Sequence, residues 1–456
     1  GSAFFYVTCY WLTYSMIHYG GLPTVLAYLL LIPAAIVIGI FPGIFAWLVA
    51  LAIRQWGYMA LLLAPVFWTA LEWFRLGVTG QLWNALGYSQ AYHPYLIQSA
   101  TWGGVYAVSF LIAAINAVVA LVITSRTRWT IGAALLTVLG VGFAIENSQP
   151  AFLERMIIDE RRVVDVVAVQ PNVPMKAVKS VEETKELIDR HLSLSTSALN
   201  QLTDNRHSRL VIWPESPMNF TYGSDSALRE LAGNFTRQHH TSLLFNSLEP
   251  APADGAYNSA LLVNEEGRLI SQYDKIRLMP FGEYVPLPQW LPGASLITGI
   301  VGEFTPGTNY TLMPFGDRRA GVFICIEAAY PWIARRMTSD GAGVLINISN
   351  DGYLGPTAVM RQHLANAVFR AVENGRAVLR VTNSGLSASI TTYGHVHGLT
   401  EPFQADVRVW SNHPSERRDT FYTRHGDLFV QICTAITVVV FIVILFSSRR
   451  GFRYLR

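Results

Sequence analysis

Residues 321–327 read Gly-Val-Phe-Ile-Cys-Ile-Glu, an apolar run that ends in a thiol and a carboxylate. The apolar and β-branched residues predict a buried strand over 320–325. A helix is predicted over 329–338 and a second strand over 343–347, and strands that alternate with helices indicate an α/β layered domain. Side chains at the end of a core strand are held rigidly, so Cys325 is the first candidate for chemistry.

The same alternation extends through the polar middle of the chain. Further strands are predicted at 163–170, 209–213, 241–247, 258–264, 268–273, 377–382 and 387–392, and further helices at 180–202, 225–238 and 358–374. With about 280 residues, this part of the chain is long enough to build one hydrophobic core of its own.

Two other predicted strand ends also carry ionisable groups. Glu215 follows one strand in the sequence Trp-Pro-Glu, and Lys275 follows another in the sequence Tyr-Asp-Lys. A thiol is a strong nucleophile only as the thiolate, so it needs a base and a cation nearby. Glu215 would take the proton of Cys325, while Lys275 and the backbone N–H of Ile326 would stabilise an oxyanion.

Residue types alone leave a second interpretation open. A lone cysteine at a strand end is usually a small buried hydrophobe. A lone glutamate or lysine is usually a surface charge. The order and spacing of the motifs must therefore decide between a catalytic site and ordinary packing.

The cysteine and histidine content argues against a disulfide framework or a metal site. The three cysteines are an odd number without a Cys-x-x-Cys pair, and Cys9 and Cys433 lie in apolar runs. His395 and His397 lie two residues apart on a predicted strand and share a face, but no further ligand has a telling spacing. We therefore predict neither a metal nor an organic cofactor.

The chain as a whole carries little charge. Of its 456 residues 51% are hydrophobic and 14% are charged, and the mean hydropathy is +0.29. Soluble globular proteins carry about 25% charged residues, so a simple soluble enzyme and a disordered protein are both excluded. The 34 basic and 31 acidic residues nearly balance, which excludes a nucleic-acid partner.

The shortage of charge is concentrated in residues 1–147, which contain only six charged side chains. A helix that spans a membrane needs about 20 mostly apolar residues. Six candidate spans are present, at 3–20, 23–52, 57–74, 102–124, 129–146 and 427–447. They predict a membrane α-helical bundle in addition to the α/β domain.

Basic residues in short loops predict the orientation, because such loops remain on the cytoplasmic side. These residues are Arg54, Arg126, Arg128, Arg449, Arg450, Arg453 and Arg456. With six alternating spans they fall on one side, so the C-terminus is predicted to be cytoplasmic. The domain over 147–426 is then extracytoplasmic, and periplasmic in a cell with two membranes. The segment 75–101, rich in Trp, Tyr, Asn and Gly, is predicted to be an interfacial loop or a re-entrant segment at the membrane surface.

The three strand ends, in this order, resemble the nitrilase (carbon–nitrogen hydrolase) superfamily. The matching segments are Trp-Pro-Glu at 213–215, Tyr-Asn-Ser at 257–259, Tyr-Asp-Lys at 273–275, Cys-Ile-Glu at 325–327 and Asn-Ile-Ser-Asn-Asp at 347–351. With flanking spans and the loop Gly-Glu-Tyr-Val-Pro at 282–286, the chain is similar to one branch in particular, the apolipoprotein N-acyltransferase family.

This resemblance implies a fold and three parts. The fold is a membrane α-helical bundle plus a nitrilase-like αββα sandwich. Residues 1–146 would hold about five transmembrane helices, 147–426 an extracytoplasmic catalytic domain, and 427–456 a transmembrane helix with a cytoplasmic basic tail. The family usually has eight spans, so the start at Gly1-Ser2 without Met leads us to expect two further N-terminal spans.

The resemblance also implies roles for single residues. Glu215 is the general base, Lys275 the cation that stabilises the oxyanion, and Cys325 the nucleophile. Glu283 matches a further carboxylate that would hold the lysine or shuttle protons, and Glu327 matches an acidic residue that would orient the site.

The implied activity transfers an acyl chain from a phospholipid to the N-terminal amine of a diacylglyceryl-cysteine lipoprotein. The partners are thus a phospholipid donor, a diacylated apolipoprotein acceptor and the bilayer, in a bacterial inner membrane. Two alternatives remain open: a membrane-tethered amidase or thioesterase that uses water as acceptor, and a lipid-binding scaffold with an inactive nitrilase domain.

Three details bear on how substrate is contacted. Ile326 stands where this family often has Tyr, and Ala177 stands where it often has Trp. The segment after Glu283 is unusually apolar for a water-facing loop, with Leu287, Trp290, Leu291, Leu296, Ile297, Ile300 and Val301. We expect this segment either to rest on the membrane as a lid over the acyl pocket or to pack onto the domain core.

Overall fold

The computed structural model describes most of the chain. The described residues are 1–125, 132, 136, 139, 140, 142, 163–175, 179–202, 207–252, 255–280, 282–284, 304–412 and 419–453. The predicted span at 129–146 therefore lies largely outside the described residues, as do Ala177 and the apolar segment 287–301.

Four of the described helices are long and apolar enough to cross a membrane. They are Thr24–Trp56, Tyr58–Thr79, Val105–Thr124 and Leu428–Ser447, the last within the helix Leu428–Arg453. In lipid every backbone N–H and C=O must be bonded within the chain, and a continuous helix satisfies this requirement. The four helices confirm the helical prediction for 23–52, 57–74, 102–124 and 427–447.

The prediction of one spanning helix over 3–20 is wrong. This segment forms two seven-residue helices, Ser2–Thr8 and Leu12–His18. A seven-residue helix is about 10 Å long, against about 30 Å of hydrocarbon. The indole N–H of Trp11 donates to Gln362 Oε1 at 3.0 Å, and Trp11 is only 4% exposed. The apolar side chains therefore pack in part against the catalytic domain.

The second spanning helix continues to Thr79, so only residues 80–101 of the segment predicted as an interfacial loop, 75–101, lie beyond it. It contains three short helical turns, Leu86–Gln90, Pro94–Ile97 and Ala100–Gly103. The indole N–H of Trp83, in this segment, also donates to Gln362 Oε1, at 2.8 Å. The segment therefore packs on the helix Val359–Asn374 of the polar domain, as Trp11 does.

The polar domain contains two six-stranded sheets. Their strands in chain order are β1 Val164–Gln170, β2 Ser208–Ile212, β3 Ser242–Pro250, β4 Ala256–Val263, β5 Leu269–Asp274, β6 Leu312–Phe315, β7 Arg318–Ile324, β8 Val344–Ser349, β9 Val378–Thr382, β10 Ala388–Ile390, β11 Val396–His397 and β12 Asp406–Asn412. The first sheet has the order β12-β1-β2-β3-β4-β5 and the second β11-β10-β9-β8-β7-β6. The inner pairs β1–β2, β2–β3, β7–β8 and β8–β9 are parallel.

Two helices cover the outer face of each sheet. They are Val181–Leu199 and Ser226–His239 on the first sheet, and Pro331–Ser339 and Val359–Asn374 on the second. The helix Val181–Leu199 begins with a capping box, in which Ser180 accepts from the Glu183 N–H and Glu183 accepts from the Ser180 N–H.

Alternation along β1 shows why the layers stack in this way. Val166 and Ala168 belong to the core between the two sheets, whereas Val167 and Val169 belong to the core under the outer helices. A strand buried on both faces shows this period of two. The predicted αββα sandwich is thereby confirmed, and the predicted strands and helices are present with small differences at their ends. The strand predicted at His395 and His397 is present as β11, whereas β6 and β12 were not predicted.

One hydrophobic core continues from the sandwich into the membrane part. It joins Ile324 and Phe369 to Trp83, Tyr88 and Val105. The membrane helices therefore pack directly against the layer that carries Cys325.

A buried ion pair on the helix Val359–Asn374 crosses the same boundary. Glu373 Oε1 accepts from the N–H of Val105, the first residue of a spanning helix, at 2.9 Å. Arg370 donates to Glu373, to the Tyr88 hydroxyl at 3.1 Å and to the Ala328 carbonyl at 3.2 Å. Both charged side chains are fully buried, so their hydrogen bonds fix the membrane part against the turn after Cys325.

Candidate active site

Cys325 stands at the end of β7 in a strained backbone conformation. It begins the turn Cys325–Ala329, and its φ is 52°, in the left-handed region. For a residue with a Cβ atom this conformation costs roughly 1–2 kcal/mol. Parallel pairing of β7 with β8 holds the base of the turn. Backbone strain that the surrounding structure enforces is typical of functional sites.

Lys275 lies between two carboxylates. Its Nζ is 3.4 Å from Glu215 Oε1 and 2.8 Å from Glu283 Oε1, and the side chain is 1% exposed. Burial lowers the pKa of the ammonium group, but Glu215 and Glu283 outweigh burial and raise it well above its usual value. Lys275 is therefore a permanent cation in a site that excludes water.

The Cys325 thiol is protonated at rest. Burial raises its pKa far above the usual value, the Glu215 carboxylate raises it further, and Lys275 offsets only part of this. A thiol in this environment needs a base at the moment of attack, and Glu215 is the carboxylate whose charge acts on it most strongly.

Asn258 joins the two carboxylates from behind. Its Nδ2 donates to Glu215 Oε1 at 2.8 Å and to Glu283 Oε1 at 2.7 Å, and its Oδ1 accepts from Asn246 at 2.7 Å. Because carboxylates only accept, the amide nitrogen must face them. Asn258 thereby fixes both carboxylates while leaving the second oxygen of Glu215 to accept the Asn350 N–H at 3.1 Å.

Glu327 connects the strand end that carries Lys275 to the one that carries Cys325. It accepts from the N–H groups of Ile276, Arg277 and Ile324 at 2.8, 3.0 and 2.7 Å. The Tyr273 hydroxyl donates to both of its oxygens at 2.9 Å. Burial raises the pKa of Glu327 to about 7, although these hydrogen bonds favour the ionised form.

A second buried cluster lies behind Cys325. His363 Nε2 is 2.9 Å from the carbonyl oxygen of Cys325, and its Nδ1 is 2.9 Å from Asp351 Oδ1. Arg380 donates to both oxygens of Asp351, at 2.9 and 2.7 Å. Burial raises the pKa of Asp351, but Arg380 and His363 outweigh it and leave the pKa below its usual value.

The predicted site residues therefore lie together. Glu215, Lys275, Glu283, Cys325 and Glu327 meet at one end of the paired sheets, linked by the contacts given above. Ile326 follows Cys325 in the turn and is buried. Within the described residues, no group of three or more His, Cys, Asp or Glu side chains is placed to hold a metal ion, and His395 and His397 have no further ligand.

Two family models match the chain. One, described as the apolipoprotein N-acyltransferase N-terminal domain, matches residues 1–118, and the other, described as carbon-nitrogen hydrolase, matches residues 166–397. Apolipoprotein N-acyltransferase of Geobacter metallireducens is 31% identical over 451 residues, covering 94% of this chain and 83% of the relative. The chain belongs to the apolipoprotein N-acyltransferase family.

Further relatives are similar over somewhat less of their length. The apolipoprotein N-acyltransferase of Brucella suis is 31% identical over 404 residues, covering 85% of this chain and 74% of the relative. Among solved structures, Saccharomyces cerevisiae Nit3, a member of branch 10 of the nitrilase superfamily, is 17% identical, with a TM-score of 0.43. That alignment covers 59% of this chain and 94% of Nit3.

Three groups at the site of this apolipoprotein N-acyltransferase family member were not among the site residues predicted from the sequence. They are the amide of Asn258, the backbone N–H of Asn350 and the ring of His363. The Tyr-Asn-Ser motif at 257–259 contained a signal for Asn258, because an amide beside two strand-end carboxylates is suited to join them. The sequence predicts only a structural role for His363, which is distant from Cys325 along the chain.

Asn258→Leu is expected to lower the free energy of unfolding by about 2–3 kcal/mol and the acylation rate by about tenfold. The reason is that two hydrogen bonds to buried carboxylates are lost together. Asn258→Asp has the same shape but adds a negative charge beside Glu215 and Glu283, so its losses should be larger. Thermal unfolding in detergent and the rate of acyl-adduct formation measure the two effects. An aspartate variant as stable and as fast as the unmodified chain would contradict the bridging role.

Proposed function

We propose that this member of the apolipoprotein N-acyltransferase family carries out lipoprotein N-acylation in two steps, through a thioester on Cys325. The observation that carries this proposal is the position of Lys275, a buried cation that contacts Glu215 and Glu283 and acts on the Cys325 thiol. A nucleophile, a base and a fixed positive charge are what acyl transfer requires.

In the first step the acyl donor is a membrane phospholipid. Glu215 takes the proton of Cys325 as the sulfur attacks the ester carbonyl, so the C–S bond forms as the carbonyl oxygen becomes negative. Lys275 and the Ile326 N–H stabilise this oxyanion. The intermediate then breaks its ester C–O bond, and the lysophospholipid leaves with the proton returned by Glu215. The acyl chain remains as a thioester.

In the second step the free α-amine of a diacylated apolipoprotein attacks the thioester. Glu215 accepts the proton that the amine loses, the C–N bond forms, and the sulfur leaves and is reprotonated. The amide product no longer carries an ionisable amine, which makes the reverse reaction unfavourable. Because the first product leaves before the second substrate reacts, the kinetics should be ping-pong.

Glu283 and Glu327 support these steps without reacting. Glu283 shares Lys275 with Glu215 and also accepts from the N–H of Met279 at 2.7 Å, so it holds the loop against the site. Glu327 fixes the position of the lysine strand end relative to the nucleophile. Neither role requires a metal or an organic cofactor.

The four apolar helices and the bacterial relatives support a protein of the bacterial inner membrane. We further propose the topology that the basic loops predict, with the catalytic domain over 147–426 outside the cytoplasm and the C-terminal tail inside. Both lipid substrates then reach Cys325 from the bilayer that surrounds the helices against which its sheet layer packs. The membrane part would comprise 1–146 and 427–456.

The test detects the thioester and then its acceptor. The chain in detergent micelles is mixed with a phospholipid, and its intact mass is measured before and after a diacylated lipopeptide is added. An acyl adduct should form on Cys325 and disappear as the lipopeptide gains one acyl chain. Cys325→Ala should form no adduct, whereas Cys433→Ala, the loss of a buried free cysteine in the C-terminal helix, should behave like the unmodified chain.

Other outcomes identify the alternatives. An adduct that decays to free fatty acid at the same rate with and without the lipopeptide would indicate a thioesterase or amidase with water as acceptor. A chain that never forms an adduct with any phospholipid would indicate a lipid-binding scaffold.

A further inference from the structure

The carbonyl oxygen of Cys325 is anchored by a residue outside the proposed triad. His363 Nε2 is 2.9 Å from this oxygen, and His363 is 3% exposed on the helix Val359–Asn374. A carbonyl oxygen only accepts hydrogen bonds, so Nε2 must carry the proton and donate it. The Asn347 amide approaches the same oxygen at 3.5 Å, at the limit of a hydrogen bond, which leaves His363 as the main donor.

The other side of the imidazole ring is held just as firmly. Its Nδ1 is 2.9 Å from Asp351 Oδ1, and because a carboxylate only accepts, Nδ1 also donates and the ring with two donors is an imidazolium. Burial and Arg380 lower the pKa of His363, while Asp351 and the two hydrogen bonds favour this protonated form. Asp351 also accepts from Arg380 and from the Ser349 hydroxyl at 3.0 Å. Asp351 begins the turn Asp351–Leu354 after β8, beside the Asn350 N–H that binds Glu215. The ring therefore cannot rotate without breaking a buried charged network.

The carbonyl of Cys325 and the N–H of Ile326 belong to one peptide unit. A trans peptide is planar, so these two groups point in opposite directions. A hydrogen bond that fixes the carbonyl therefore fixes the direction of the N–H. This peptide unit turns through ψ of Cys325 and φ of Ile326, so the left-handed φ of Cys325 does not by itself fix the direction of the N–H. The hydrogen bond from His363 supplies that control.

We propose that His363 is a positioning residue that aims the Ile326 N–H at the oxyanion. This inference rests on the proposed function, in which Cys325 is the nucleophile and the Ile326 N–H is an oxyanion donor. His363 touches neither substrate nor sulfur in this role. It acts through the planar peptide unit between Cys325 and Ile326, on the side opposite to the carbonyl of the substrate.

A matched pair of substitutions separates this role from simple packing. His363→Gln retains a side-chain N–H at about the position of Nε2, whereas His363→Met has a similar length and shape but no donor. Two reactions of the same thiol are then compared in the full chain in detergent. Acylation by a mixture of phosphatidylethanolamine and phosphatidylglycerol builds up an oxyanion, whereas alkylation by iodoacetamide displaces iodide and forms none. Peptide mass locates both adducts on Cys325.

The methionine variant should acylate about 100-fold more slowly than the unmodified chain, the loss typical of one oxyanion donor. Its alkylation rate should change by less than about threefold, since the base and the lysine remain. The glutamine variant should acylate within about tenfold of the unmodified chain. A purely structural role would change both reactions together.

Three results would overturn the inference. One is a folded methionine variant that acylates as fast as the unmodified chain, and another is equal loss of acylation and alkylation. The third is a folded glutamine variant that alkylates normally but loses acylation as severely as expected for methionine. This last result decides the question even if the methionine variant does not fold. Failure of the unmodified chain to acylate would instead overturn the proposed function itself.

Discussion

Lys275→Met is expected to reduce thioester formation by about 10³-fold or more and to lower the free energy of unfolding by about 3–5 kcal/mol. Methionine keeps most of the side-chain length but removes the charge that faces the oxyanion. It also leaves Glu215 and Glu283 close together and buried without a counter-ion. Rates of acyl-adduct formation and thermal unfolding in detergent measure the two losses.

A second substitution separates the two effects. Combining Lys275→Met with Glu283→Gln removes one of the two unpaired charges, so part of the stability should return while the activity stays low. Lys185→Met, a change at an exposed lysine, should alter neither quantity. Acylation by the single Lys275→Met variant within tenfold of the unmodified chain would exclude the lysine as the oxyanion cation.

Glu215→Gln is expected to slow thioester formation by about 10³-fold at pH 7, with little loss of stability. The amide has the shape of the carboxylate but cannot take the thiol proton. Lys275 retains Glu283 as its partner at 2.8 Å, so the ion pair is not lost entirely. The acylation rate with a phospholipid donor is the measurement, and Glu265→Gln, at an exposed position, is the control.

The pH dependence of this variant gives a second measurement. Because burial raises the pKa of Cys325, only a small fraction of the thiol is ionised near neutral pH, and that fraction rises about tenfold per pH unit. Without its base, the Glu215→Gln variant should therefore gain about tenfold in rate between pH 7 and pH 8. The unmodified chain should gain much less. A variant with a flat profile in this range would argue against Glu215 as the base.

Strands were predicted well from the sequence wherever their own residues have the composition of a buried strand. The apolar run before Cys325 and the strands before Glu215 and Lys275 have the composition of buried strands, and the structure contains them. Strand β12 was not predicted, because its partner β1 lies far away in sequence and the pairing leaves no local mark.

The failure at residues 3–20 has a different physical cause. Hydropathy measures how strongly side chains avoid water, and a protein interior satisfies that preference as well as lipid does. Phe5 and Trp11 are buried in the core shared with the catalytic domain. Nothing in the composition of the segment distinguishes that environment from a bilayer.

The residues proposed to be catalytic were easier to single out in the sequence than the groups that hold them. Glu215, Lys275 and Cys325 stand out because their residue types carry chemistry at strand ends. Asn258 and His363 have ordinary residue types, and their importance comes from partners that only the folded chain brings near.

The ion pair of Arg370 and Glu373 limits how this enzyme can be taken apart. Separating residues 1–125 from the sandwich would remove the Val105 N–H that Glu373 binds and uncover the apolar surface around Phe369. In a soluble fragment without the membrane helices, the buried carboxylate of Glu373 would therefore be exposed to water. Glu373 binds Arg370, and Arg370 binds the Ala328 carbonyl in the turn that begins at Cys325. The membrane helices are in this sense part of the catalytic core, and the smallest working unit includes them.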